Sequence, residues 1–598
     1  TAANLNTIGN DLRLIVDPYV NDVAMTVLPN APIDISTELP IPTIAVATNG
    51  GLSVIKDDGT VVNKAVTNAD TDIANIDFTN DGNLLLTRNN YNYVVVTKIG
   101  SANDSRAFPS QYSSNINYFR ANGTDFPPPY SPAGDGEISG YLLSNLITST
   151  KGTDLASADT YGLNLFSIDR NLPSTSSSVA YITKDFNTGY QHGDIKGAFL
   201  SSIDDTDITA TSLTSNWATV GNWTYQSQKL TLASDGAGGL NLTHADQSGS
   251  YVYAFLPFTV EANTDYIIYV EMTAYHSSGL FVHTTMYAVG GSTLANLHGI
   301  SGTFKSVQFN SGSNTTLYLH FNHNSTTATN IKNVVAQKVT DGASDRSVNA
   351  KDLLTFGTIT RTHVATGAEL VAYNGFSTSN YLFQPYNSDL QFGTGDYSIM
   401  LWYKGVSGST GKREIFAEVT GSSASFWLLH KEYTNKFVFD SVTNPDTYSE
   451  DVWYHVAGVR ESGISRLYVN GELVGSAATG DNITDTSLGL IIGQDSANND
   501  WRTRGSLALL KISASSPSAD QIKKIYDDEK CLYHENAKCT IHGTSDAVTG
   551  LAFDDTNNVL HVGTSAGRSE FQGLNRINNT TTAVTTAISV SNEFVAEQ

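Results

Sequence analysis

From Tyr397 onward, short apolar runs alternate with tight-turn residues, and this rhythm constrains the fold more than any other feature of the chain. Runs of four to eight residues bounded by Gly, Asn, Asp and Ser are strands rather than helices. In Tyr397-Ser398-Ile399-Met400-Leu401-Trp402-Tyr403-Lys404, Tyr397, Ile399 and Leu401 fall on one side, and Ser398, Met400 and Trp402 on the other. Both sides are largely apolar, so this strand is expected to be covered on two faces. Trp402, and Trp453 on the later run Trp453-Tyr454-His455-Val456-Ala457, are assigned to the core, and His455 to a structural role. Asn470-Gly471, between Leu467-Tyr468-Val469 and Glu472-Leu473-Val474, predicts a tight hairpin. Ser518-Ala519-Asp520-Gln521 opens a short amphipathic helix with a polar N-terminal cap.

The rest of the chain has the same bias. Tyr and Phe number 29 and 24 against 4 Met, and only 15% of residues are charged, a mixture that favours strands and turns. The length of 598 residues suggests roughly three to five domains. A net charge of -24 argues against nucleic acid and anionic membranes as partners. No apolar run approaches the roughly 18 residues of a membrane span, and Thr1-Ala2-Ala3-Asn4-Leu5-Asn6 does not read as a signal peptide. Cys531 and Cys539 are too few for a disulfide framework. One bridge, a reduced inert pair, or zinc held with His534 and His542 are the alternatives.

A hairpin unit recurs along the chain. Ile44–Thr48, Asn49-Gly50-Gly51 and Leu52–Ile55 form one copy; Ile76-Asp77-Phe78, Asn80-Asp81-Gly82-Asn83 and Leu84-Leu85-Leu86 form another. It returns at Leu551-Ala552-Phe553, Asp554–Asn558 and Val559–Gly563. Such repeats resemble β-propeller blades, which must pack together because one blade cannot bury both faces. Two unrelated small β domains are the alternative. The expected class is therefore all-β: a split β-propeller-like scaffold with two inserted jelly-roll β-sandwich domains. Its parts are an N-terminal arm or docking segment (1–40), the first scaffold part (41–205), a first sandwich (206–340), a second (345–528) and the closing scaffold part (540–598). Asp194–Leu200 is expected to be the last blade strand before the chain leaves the scaffold.

The first sandwich opens with Asn216-Trp217 and Gly221-Asn222-Trp223, continues through Tyr251-Val252-Tyr253-Ala254-Phe255 and Asp265–Glu271, and closes with Ile331–Val335. That order resembles the jelly-roll carbohydrate-binding modules attached to glycan-degrading enzymes. The resemblance makes Trp217, Trp223, Tyr251 and Tyr253 candidates for a sugar groove, with core packing the stronger reading of any single one.

The second sandwich carries the more specific pattern. Trp453-Tyr454-His455-Val456-Ala457, Leu467-Tyr468-Val469-Asn470-Gly471-Glu472-Leu473-Val474, Ile492-Gly493 and the closing Lys511-Ile512 and Ser518–Ile522 stand in an order that resembles laminin-G-like/concanavalin-A-like lectin domains. The resemblance implies a two-sheet sandwich binding sugar or protein at a loop-lined rim, often with Ca²⁺. The loop Gln494–Trp501 fits best. Asp495, Asn498, Asn499 and Trp501 are the candidate sugar ligands, and Asp495 and Asp500 the candidate Ca²⁺ ligands, because carboxylate and amide oxygens suit both and an exposed Trp stacks on a sugar face. A polar hairpin loop with Trp501 folded into the core is the alternative.

No G-x-S-x-G, H-E-x-x-H or phosphate-binding loop is present. The adjacent acids Asp204-Asp205, Asp527-Asp528-Glu529 and Asp554-Asp555 sit in turns or at a helix end, so no catalytic residue is named and an enzyme is not expected. Across about 160–598, Asn187–Ala198 and the stretch after the second sandwich resemble modular structural proteins of tailed bacteriophages. That resemblance implies a virion fibre, spike or appendage protein that touches host-surface polysaccharide and other virion proteins as a homo-oligomer, a trimer for instance. A polysaccharide depolymerase, a purely structural virion protein and a bacterial adhesin are the competing readings.

Overall fold

The computed structural model describes all residues except 1–14, 66–72, 79–83, 89–90, 98–115, 121–145, 150–153, 168–176, 210–211, 226–228, 245–251, 274–279, 285–291, 298–303, 324–328, 386, 409–412, 421–424, 485–488, 497–499, 555, 584–586, 591–593 and 598. The described chain is all-β apart from helix Ala519–Glu529 and a few 3-10 turns, and every strand pair in it is antiparallel. No described helix is long and apolar enough to cross a membrane.

The second sandwich is two stacked sheets. The larger runs, in order, Ile208–Thr209, Thr358–His363, Val371–Asn374, Ser506–Ser513, Tyr397–Lys404, Trp453–Glu461, Ile464–Val469 and Glu472–Ala478. The smaller runs Leu354–Phe356, Tyr381–Pro385, Gly489–Ile492, Glu414–Thr420, Ser425–Lys431, Phe437–Phe439 and Val442–Thr443. Ile399, Leu401, Phe416, Phe437, Leu490 and Leu507 fill the space between. Asn470 and Gly471 both have positive φ, 51° and 79°. A two-residue turn that follows the strand twist demands this, and Asn-Gly supplies it cheaply.

The outer face of the larger sheet is also buried. Met400 and Trp402 point into a second core with Ile522, Leu532 and Tyr533 from the helical segment and Leu163, Leu551 and Val562 from other sheets. This explains why Tyr397–Lys404 is apolar on both sides. The helix is fixed by a capping box: Gln521 N–H donates to Ser518 Oγ, and Ser518 N–H to Gln521 Oε1.

The remaining sheets are up-and-down meanders. Val20–Thr26, Thr43–Thr48, Gly51–Ile55 and Val61–Ala65 form one; Ile73–Phe78, Leu84–Arg88, Tyr91–Thr97 and Ile116–Arg120 a second. A third runs from Leu146–Ser149 through Asp154–Asp159, Gly162–Ser167 and Ser178–Ile182 to Gln191–His192, and a fourth from Val548–Asp554 through Val559–Thr564 and Gly567–Gln572 to Asn575–Thr580. Ile73–Phe78 packs on Val20–Thr26, Leu146–Ser149 on Ile73–Phe78, and Val548–Asp554 on Leu146–Ser149. Pieces from both ends of the chain thus lie side by side. A closed ring of blades is not among the described residues.

Two expectations change. Val20–Thr26 lies in the stretch read as an arm, yet it is a strand on Thr43–Thr48. Ile195–Phe199 is not a scaffold blade strand: it pairs with Ser506–Ser513 of the larger sheet. A short apolar strand carries no label for its partner, and this pairing spans some three hundred residues of chain.

The first sandwich is also two sheets. One holds Thr224–Tyr225, Val252–Thr259, Thr316–His323, Leu280–His283 and Thr293–Asn296; the other Leu230–Ser234, Leu240–His244, Thr329–Lys338, Asp265–Thr273 and Phe304–Asn310. Ile267, Tyr269 and Val335 on the outside of the second sheet pack on Leu354, Phe383 and Ile491 of the other sandwich, with Tyr269 edge-on to Phe383 at 5.7 Å.

Candidate functional site

The first sandwich covers only part of the smaller sheet of the second. Beyond the covered strands lie Glu414–Thr420, Ser425–Lys431 and the loop that follows Gly489–Ile492. The loop begins at Gly493, where φ is 95° and a Cβ would fall 2.0 Å from the Phe376 ring, so only glycine fits. Its ends are tied by the Gln494–Arg502 bridge and by Asp495 N–H donating to the Trp501 carbonyl at 2.8 Å.

These ties set Trp501 against two other aromatic residues. Its ring lies 5.2 Å from that of Trp427, edge to face at 81°, and its Nε1–H donates to Tyr433 Oη at 2.9 Å. Trp427 comes from Ser425–Lys431, and Tyr433 from the turn after it. The Arg413 guanidinium sits among the three rings, 4.4 Å from the Trp501 centroid, 5.1 Å from Trp427 and 5.2 Å from Tyr433, which is cation–π range. Arg413 Nε and Nη2 donate to Glu432 Oε2 at 3.0 and 2.8 Å. His430, 3.4 Å away, and then Arg413 hold the Glu432 carboxyl down to about 2. Trp427 and Trp501 are half-buried and Tyr433 is exposed, so ring area faces outward.

The structure separates the expected site residues. Trp501 is at the rim, outside the inter-sheet core. Asp495 is 4% exposed and accepts the Trp427 indole N–H at 2.7 Å, so it orients the wall rather than facing a ligand. Asp500 is exposed and bound to Arg504 Nη2 at 2.8 Å. Asn498 and Asn499 lie outside the described residues. Asp495 and Asp500 do not converge as Ca²⁺ ligands: one is turned inward to an indole, the other outward to a guanidinium. Among the described residues no three His, Cys, Asp or Glu side chains form a metal-binding group. Asp495 and Asp500 by themselves thus make no shared Ca²⁺ site among the described residues.

In the first sandwich, Trp217 and Trp223 are core residues, 8% and 5% exposed, and Trp223 Nε1–H donates to the Trp217 carbonyl at 2.6 Å. Neither offers a ring face to sugar, because each fills the space between its two sheets. Tyr251 lies outside the described residues. Tyr253 is half-buried on the outer face, 5.0 Å from His320, whose ring lies 4.7 Å from Phe255. Burial, then His283, brings the His320 imidazole down to about 4. Both cysteines are free thiols. Burial pushes Cys531 up to about 11 and Cys539 higher, so both stay protonated.

Sequence reading missed Trp427, Arg413, Tyr433 and Glu432. Trp427 lies in an apolar strand where a tryptophan reads as core, and Glu432-Tyr433 in an ordinary polar turn. Only the fold brings them to Trp501.

Residues 376–523 match the family model of the Concanavalin A-like lectin/glucanases superfamily. The match takes in the strands of the second sandwich from Tyr381–Pro385 onward, and about a quarter of the chain. No curated protein matches the sequence. Similar solved structures include the receptor-binding domain of botulinum neurotoxin C/D mosaic serotype, at 13% identity and TM-score 0.28, over 39% of this chain and 60% of that one. Domain 4 of AbnA, a GH43 extracellular arabinanase from Geobacillus stearothermophilus in complex with arabinotriose, is 16% identical at TM-score 0.24, over 31% of this chain and 92% of that one. The Ruminococcus gnavus IT-sialidase CBM40 bound to α2,3-sialyllactose is 13% identical at TM-score 0.20, over 23% and 84%. TM-scores this low assign no role to any residue here.

Proposed function

We propose that this protein binds glycans at the rim of its lectin-type sandwich. The observation that carries the reading is the Trp427–Tyr433–Trp501 wall, braced by Arg413 and Asp495, with part of its ring area left to solvent. Partly exposed indole and phenol rings bind the C–H faces of sugars, and the neighbouring Asp500 and Glu432 oxygens accept from hydroxyls. The site is a binding surface: no residue is proposed to act as acid, base or nucleophile. Tyr253, on the outer face of the first sandwich, is a secondary contact.

The wider reading is a fibre, spike or appendage protein of a tailed-phage virion, recognising host-surface polysaccharide and held by other virion proteins. It rests on the resemblance of residues 160–598 to such proteins. On that reading the meander sheets are blades of a split, propeller-like scaffold, and several copies per particle would turn weak single sites into firm attachment. A glycan array probed with the full chain tests the binding reading. Sugar-dependent binding that disappears in Trp501→Ala is expected, whereas no binding by the intact protein would overturn it.

A further inference from the structure

The sandwich rim is rich in charge, yet its cations are engaged. Arg413 places Nε and Nη2 on Glu432 while lying against Trp501. Arg504 directs Nη2 to the carboxylate and carbonyl of Asp500, at 2.8 and 2.9 Å, and Nη1 to the carbonyls of Arg413 and Arg502. Arg502 lies 3.6 Å from the same Asp500. Beneath the rim, buried Lys431 is paired with buried Glu414 at 2.9 Å. Two more carboxylates share the place: Glu418, which accepts from the N–H and Oγ of Ser496 at 2.7 Å, and Asp495, which accepts from Trp427. These four cations stand with five carboxylates, and across the turn from Glu432 the Lys436 Nζ donates to the Pro445 carbonyl. His430 adds no charge near neutral pH, since burial disfavours its imidazolium form.

A sugar carboxylate or sulfate would have to displace Glu432 or Asp500 from its guanidinium. It would do so on a chain whose net charge is -24. Like charge in a partly desolvated site costs affinity and slows encounter. A hydroxyl meets the opposite situation. Asp500, next in sequence to Trp501 and with its side chain 61% exposed, presents acceptor oxygens to solvent. Hydroxyl donors to carboxylates make short, strong hydrogen bonds without bringing charge.

We propose that the Trp501 site takes uncharged pyranose units and discriminates against uronate-bearing and sulfated polysaccharides. This rests on the glycan-binding reading of the same site. Apolar stacking and neutral hydroxyls then set affinity, so binding should depend little on salt.

The test uses the full chain, titrated with pairs of polysaccharides that share a backbone, one member neutral and the other carboxymethylated. The neutral member is expected to bind more tightly by about tenfold or more, equivalent to roughly 1.4 kcal/mol. Its affinity should hold from low to near-molar salt and be lost in Trp501→Ala. Equal or tighter binding of the carboxymethylated member, weakening steeply with salt and lost in Trp501→Ala, would overturn the specificity while leaving the glycan site in place. Neutral binding that survives Trp501→Ala would overturn both the site and its specificity. Failure of every pair would overturn the glycan reading itself, and the specificity with it.

Discussion

Trp402 and Trp501 belong to the same sandwich, and both donate an indole N–H and pack against other rings. Trp402 sits on the outer face of the larger sheet, 2% exposed, stacked at 4.1 Å on Tyr533 and donating to Glu529 at 2.8 Å. Trp501 sits at the edge of the smaller sheet with part of its ring in solvent. What surrounds them differs. Glu529 is fully enclosed and accepts from Lys511, Trp402 and the Tyr190 N–H, tying the helix, the sheet and the neighbouring meander together. The Arg413–Glu432 pair at the rim is partly solvated. One face is a weld, the other is open. An aromatic residue beside an ion pair therefore says little about function until burial is known.

The comparison predicts unequal costs. Glu529→Ala should lower stability most, by about 3–5 kcal/mol, because it strands the buried Lys511 charge. Urea denaturation checks this, and a loss below about 1 kcal/mol would mean that the weld is not held by this pair. A second buried carboxyl sharpens the point. Asp352 accepts from Asp345 N–H at 2.7 Å and from Gln308 Nε2 of the first sandwich at 2.7 Å, so it joins the two sandwiches. Burial pushes its carboxyl up to about 7. The folded state therefore keeps a proton that the unfolded chain, with a carboxyl near its ordinary value of 3.8, gives up. Its contribution is complete below about pH 4 and is lost as pH rises through about 7. Melts across that range should show a loss of up to about 4 kcal/mol, flattened in Asp352→Asn. An unchanged slope in that variant would place the titration elsewhere. Arg413→Gln, at the open rim, should cost least, under about 1 kcal/mol. A larger drop in melting temperature would make the rim a structural element like the weld.

What the sequence made legible is what is encoded locally. Asn470-Gly471 names its own turn, Ser518 and Gln521 their own cap, and the two-sided apolar pattern of Tyr397–Lys404 its double burial. Partnership is not local. Ile195–Phe199 reads like any edge-length strand, and nothing in it points to Ser506–Ser513. The rim fails for the same reason: Arg413, Trp427, Tyr433 and Trp501 are spread over some ninety residues and meet only when three strands and two loops are in register. Trp217 and Trp223 read as core or as platform with the same spelling, core being the stronger reading, and the structure buries both.

The central claim is that the open rim binds sugar and the weld does not. The most direct measurement is glycan binding by the full chain, read beside its melting temperature, in Trp501→Ala and in Glu529→Ala at a temperature where both remain folded. The account predicts that Trp501→Ala abolishes binding with little change in melting, and that Glu529→Ala melts early yet binds as the parent does. Retained binding in Trp501→Ala, or binding lost only in Glu529→Ala, would contradict it.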